Sequence, residues 1–92
     1  MLKKEMQVFA ESIAAECKKK CAPTTQNSAE INTTINMICV KAIKFRQQKA
    51  FGILGVVTLI KLIRKQLKNM DYTASFINES TLYLVQALMR MR

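Results

Sequence analysis

One proline and two glycines stand among 92 residues. An all-β chain turns every few residues and would carry many more of both. So few breakers suit a handful of helices joined by a handful of loops, and the spacing of apolar residues says where the helices lie. Leu2, Met6, Phe9, Ile13, Cys17 and Cys21 recur at three- and four-residue steps. That is one apolar stripe along a helix from about Leu2 to Cys21. Lys18, Lys19 and Lys20 close it, where cations suit the negative end of the helix dipole.

Pro23 cannot continue this helix, and Ala22 to Asn27 reads as a loop. Asn27 with Glu30 three residues on resembles a capping box and predicts a second helix from about Ser28. Ile31, Ile35, Ile38, Ala42 and Phe45 line one side of it. Each glycine inside a helix costs roughly 1 kcal/mol against alanine, so Gly52 and Gly55 predict a break nearby. The pair also suits close packing. The alternative is one unbroken helix over 28–70, about 64 Å long, which would demand a partner along its length. A third segment from about Ile53 to Met70 carries Val56, Leu59, Ile60, Ile63, Leu67 and Met70 as its stripe. Asp71 or Thr73 can cap the last helix, from about Ala74 to Met91. Its stripe is Ile77, Thr81, Leu84, Leu88 and Met91, flanked by Phe76, Tyr83 and Ala87.

The expected fold is therefore all-α: a small helical bundle of three or four helices, with the whole chain 1–92 as one helical domain. A chain this short buries a limited share of its surface, while half of its residues are hydrophobic. A homodimer is expected to complete the core. The six methionines read as core fill.

Fifteen Lys and Arg face six Asp and Glu, with no His, for a net charge of +9. The arrangement matters more than the total. The 40 residues between Glu30 and Asp71 hold no carboxylate at all. In that window sit Lys41, Lys44, Arg46, Lys49, Lys61, Arg64, Lys65 and Lys68. An ordinary solvated helix mixes both signs and gains from i,i+4 pairs. This stretch gains none, and its field attracts polyanions. Lys61, Arg64, Lys65 and Lys68 follow the i, i+3, i+4, i+7 rule and share one face, opposite Leu59, Ile63 and Leu67. Lys41 and Lys44, with Gln48, make a shorter row on the helix before. A hairpin of the two helices would set both rows on one side. Arg46 and Lys49 fall nearer the apolar side. Asn32, Asn36, Gln47, Gln48 and Gln66 can add hydrogen bonds to phosphate or sugar oxygens.

Catalysis finds little to work with. General acid-base and nucleophilic mechanisms need a positioned pair, and the chain has no His and only scattered carboxylates. A zinc site usually takes four Cys or His ligands, and Cys17, Cys21 and Cys39 are three. No enzyme activity, metal, cofactor or small-molecule substrate is expected. An odd cysteine count argues against a disulfide-stapled secreted domain. Cys17 and Cys39 read as small core residues. Beside Lys18–Lys20, Cys17 and Cys21 also fit the pattern of palmitoylation next to a basic run.

The opening residues, interrupted by Glu5 and Glu11, lack a signal-peptide core. The longest uncharged apolar run, Ala50 to Ile60, is 11 residues against the roughly 20 of a membrane span. An intracellular protein with reduced thiols is expected.

Three partners compete for the basic surface. The first is duplex nucleic acid, RNA or DNA, held by its phosphates. No helix-turn-helix, zinc finger or basic zipper is present to read bases. Trp is absent, which disfavours a single-strand stacking platform. In size and charge the chain is similar to helical modules with which some viruses cover double-stranded RNA or package a genome. The second partner is an anionic membrane surface, met by the amphipathic helix Phe51–Lys68. The third is an acidic protein, with this chain as a regulatory adaptor.

Overall fold

The computed structural model describes residues 2–49 and 51–90, Leu2 by its backbone alone. They form four helices and no strand: α1 Leu2–Lys20, α2 Ser28–Gln48, α3 Ile53–Asn69 and α4 Ala74–Met89. The expected all-α bundle is what the chain folds into, in its four-helix form. Among the described residues no helix is long and apolar enough to cross a membrane. The Leu2 side chain and Met91 of the apolar stripes, Met1 among the methionines, and Ala50 at the start of the uncharged run lie outside the described residues.

The helix ends follow their local chemistry. Asn27 Oδ1 accepts the Glu30 N–H at 3.1 Å and opens α2. Glu30 does not close a reciprocal box with Asn27. The Thr25 hydroxyl stands between them, donating to Glu30 Oε1 at 3.1 Å and accepting from the Asn27 N–H at 3.3 Å. Thr73 Oγ1 accepts the Phe76 N–H at 3.1 Å and opens α4. Asp71, the other candidate cap, instead terminates α3 with φ at 67°. The Asp71 N–H donates to Lys68 O at 3.0 Å and the Tyr72 N–H to Leu67 O at 3.1 Å. This is a Schellman ending with aspartate where glycine is usual.

The chain does break between α2 and α3, at 49–52, with the first glycine of the pair at the start of α3. Gly52 is the N-cap of α3 in extended backbone. Gly55 lies inside the helix and answers to packing. A Cβ there would fall 2.6 Å from Phe51 Cδ2 and 2.8 Å from Phe51 Cβ. Phe51 is held against Phe45, which stacks on Phe9 with ring centroids 4.4 Å apart.

Around the bundle, α1 packs on α2 and α3, and α4 packs on α2 and α3. The consecutive helices α2 and α3 do not pack on each other and occupy opposite corners. Long-range contacts show which ends meet. Tyr72, just past α3, donates to Cys21 O at 2.8 Å, just past α1. Lys49, just past α2, pairs with Glu5 near the start of α1 at 3.5 Å. Arg46 near the end of α2 donates to Leu88 O near the end of α4. So α1 and α3 run parallel, as do α2 and α4, while α1/α2 and α3/α4 are antiparallel. One end of the bundle holds the 21–27 loop and the 70–73 turn. The other holds the 49–52 link.

Ile13, Cys17, Ile38, Leu59, Ile63, Leu84 and Leu88 are at or within 1 % of complete burial and form the core where the four stripes meet. The α4 stripe is buried as expected at Ile77, Leu84 and Leu88, with Phe76 beside it. Only at Thr81 does it differ: Ser80 takes the buried place, Thr81 is half-buried, and the flanking Tyr83 is exposed. The methionines only partly fill the core. Met6 is buried, Met37 and Met70 are half-buried, and Met89 is exposed.

Candidate nucleic-acid interface

The bundle sorts the eight candidate cations into two groups. Three are engaged. Arg46 reaches across to the Leu88 carbonyl, satisfying an acceptor in the last turn of α4. Lys49 pairs with Glu5. Arg64 turns sideways from α3 and donates from Nη1 to Thr81 Oγ1 at 2.7 Å and to Asn78 Oδ1 at 3.3 Å, both on α4. Its guanidinium ties two helices together. The other five, Lys41, Lys44, Lys61, Lys65 and Lys68, are exposed. No ion pair engages them among the described residues.

These five do not form one surface. A hairpin of α2 and α3 would have set the rows side by side, but the two helices stand at opposite corners. Lys41 and Lys44 therefore belong to a different part of the molecule from Lys61, Lys65 and Lys68. The reason lies in the apolar faces. α2 and α3 each bury a stripe against both α1 and α4, which places them diagonally with the core between.

The three lysines of α3 remain together, directly opposite the buried stripe Leu59, Ile63 and Leu67. Over the seven residues from Lys61 to Lys68 the helix rises about 10 Å. Like charges at these spacings cost a few tenths of a kcal/mol per pair in an isolated helix. Packing of the opposite face carries that cost.

The parallel pairing of α1 with α3 brings a second basic group to the same end of the bundle, although Lys19 and Lys20 line a groove with Glu30 and Thr33 of α2. Lys18, Lys19 and Lys20 are exposed in the last turn of α1, and Lys65 and Lys68 lie toward the matching end of α3. Both helices end at the 21–27 end, where Tyr72 meets Cys21. Their only sequence signal was three lysines in a helix's last turn, which a dipole argument explains equally well. Among the polar candidates, Asn32 and Asn36 line a groove between α2 and α4 with Cys39, Val40, Tyr83 and Gln86. Gln47 and Gln48 are exposed at the far end of α2, and Gln66 is half-buried. None of these five lies on the outer face of α3.

The cysteines belong to the interior. Cys17 and Cys21 are buried, and Cys39 is half-buried. Burial, then the neighbouring Cys21 and Glu16, push the Cys17 thiol from its usual 9.0 up to about 12. Burial raises Cys39 as well. Acylation at Cys17 or Cys21 would require the end of α1 to open. Among the described residues no group of three or more His, Cys, Asp or Glu side chains is placed to hold a metal ion.

Neither a protein-family model, nor a curated protein, nor a solved structure matches the chain.

Proposed function

We propose that this protein binds duplex nucleic acid without catalysis, gripping phosphates through Lys61, Lys65 and Lys68 of α3. Lys18, Lys19 and Lys20 add positive charge at the 21–27 end, where Lys19 and Lys20 border a groove with α2. Lys41 and Lys44 provide a weaker, separate site. The observation that carries this reading is the α3 row itself: three exposed lysines on one helix face, in a chain of net charge +9, with no acidic partner among the described residues. Duplex DNA presents a phosphate about every 3.4 Å along each strand, so a 10 Å row spans about three. Contacts of this kind position a protein and carry no base information. Binding is then expected on any sequence, with a steep dependence on salt.

The membrane reading needed the apolar stripe of α3 against lipid. Val56, Leu59, Ile60, Ile63 and Leu67 are instead buried in the bundle, which removes the main support for lying on a bilayer by that stripe.

Fluorescence anisotropy with duplex RNA, duplex DNA, single strands and anionic vesicles, at several salt concentrations, tests the proposal. Each lysine that contacts a phosphate contributes about 0.9 to the slope of log K against log salt. The variant Lys61→Ala/Lys65→Ala/Lys68→Ala should lower that slope by nearly three and weaken binding at moderate salt on the order of a hundredfold. Its helical content should stay unchanged. Duplex binding that is indifferent to the triple variant removes α3 as the site. Absence of duplex binding at low salt removes the function, and an acidic protein then becomes the leading partner.

A further inference from the structure

The exposed side of α3 changes character along its length. Its second half carries the lysines. Its first half exposes Leu54 at 83 %, Ile53 at 64 % and Val57. Ile53 and Val57 share a helix face with Arg64, the residue that reaches Asn78 and Thr81, so this face borders α4. On α4, Leu82, Val85 and Met89 share the face of Asn78 and are exposed too, Leu82 at 57 %. The helices are antiparallel. A step from Arg64 toward the start of α3 is matched by a step from Thr81 toward the end of α4. Val57 therefore lies level with about Leu88, between Val85 and Met89 on their face, and Ile53 lies toward the end of α4. Six large apolar side chains, none charged, make one patch on the α3–α4 face toward the 49–52 end.

A monomer seldom leaves a contiguous apolar patch much beyond a few hundred Å² in water. We infer that a second copy of this chain covers the patch, in a two-fold dimer. Charge argues for this occupant. In a chain of +9, two copies can meet at low electrostatic cost only where neither presents cations. A two-fold interface sets one surface against itself, and an uncharged apolar patch is complementary to itself. The lysines then choose the orientation. With the two α3 helices parallel, Lys61, Lys65 and Lys68 would face their counterparts. With them antiparallel, the patches overlap and the rows project from opposite ends and opposite faces. Resting on the proposed function, this geometry gives each dimer two phosphate-binding rows that face apart, and so the capacity to bridge two duplexes.

Sedimentation equilibrium of the full chain decides the dimer. The expected result is a dimer at micromolar concentration. Leu54→Asp/Val85→Asp should be monomeric with an unchanged circular dichroism spectrum. Val8→Asp, at an exposed apolar position on α1 outside the patch, should remain dimeric. A wild-type monomer at submillimolar concentration overturns the inference, as does a double variant that dimerises like the wild type. A monomer that binds phosphatidylserine vesicles through Leu54 overturns it in favour of lipid. Energy transfer between two labelled duplexes then reads bridging: present with the wild type, lost with the monomeric variant although that variant still binds one duplex. Bridging by the monomeric variant overturns the two-row geometry. If neither protein binds duplex, the functional proposal fails while sedimentation still decides the dimer.

Discussion

All of α3 and the part of α2 beyond Glu30 come from the same acid-free stretch, and four cations accompany each helix, but the bundle uses the two sets differently. Around α2, Arg46 closes the end of α4 and Lys49 pairs with Glu5, leaving Lys41 and Lys44 exposed. Around α3, Arg64 alone is drawn into the structure, and three lysines keep one open face. The open face of α3 also continues into an apolar patch, while the exposed apolar residue beside Lys44 is Val40, which lines the groove between α2 and α4. A run of like charge thus mixes two jobs. Arginines near helix ends and helix–helix seams serve the fold, because a guanidinium can satisfy several acceptors at once. Lysines on the outer face stay solvated, and they are the ones a polyanion can reach.

The largest effect that can break this contrast is in binding. Lys41→Ala/Lys44→Ala should weaken duplex binding far less than the α3 triple variant, by roughly tenfold against a hundredfold at moderate salt. Equal losses would mean that α2 and α3 contribute alike, and the division between them would fall. Next come the arginines. Arg64→Ala removes two hydrogen bonds between α3 and α4 and should cost about 1–2 kcal/mol of stability, several degrees in melting temperature for a chain of this size. Its effect on duplex affinity should be small. Lys65→Ala, one residue on, should reverse the pattern: stability within about 0.5 kcal/mol of wild type and a clear loss of affinity. A stable Arg64→Ala protein with poor binding would return Arg64 to the interface.

Alkaline pH probes the α1–α3 junction, where Cys17 and Tyr72 lie. Burial and nearby groups hold the Cys17 thiol protonated up to about 12 in the fold, against a usual 9.0. Burial, then the Cys21 and Cys17 thiols, raise the Tyr72 phenol in the same direction. A folded value above the unfolded one means that the native state binds the extra proton. The associated stability is fully present below about pH 9 and is lost as pH rises toward 12. Melting temperature should therefore hold level to about pH 9 and decline above it, less steeply in Cys17→Ala. A level profile through that window would place the thiol in water. The smallest effect expected is a gain. Asp71→Gly relieves a left-handed residue at the end of α3 and should add about 0.5–1 kcal/mol, and by removing a carboxylate three residues from Lys68 it should tighten duplex binding slightly.

Much of this molecule is written locally. Pro23, the Asn27 cap, the Thr73 cap and the three- and four-residue apolar steps are read within one or two turns of backbone, and they place the four helices to within a few residues. The lysine row on α3 is legible for the same reason, since a helix's own period fixes which residues share a face. Spacing also set Arg46 and Lys49 nearer the apolar side, where they now bond. Only the tertiary structure decided which helices touch. Each amphipathic stripe can pack on several others, and the choice depends on how four of them fill one core together. That choice sent α2 and α3 to opposite corners and brought the Lys18–Lys20 turn to the same end as Lys68. It also turned Arg64 from a surface cation into a tie between helices, and left an apolar patch on α3 and α4 that no single stripe announces.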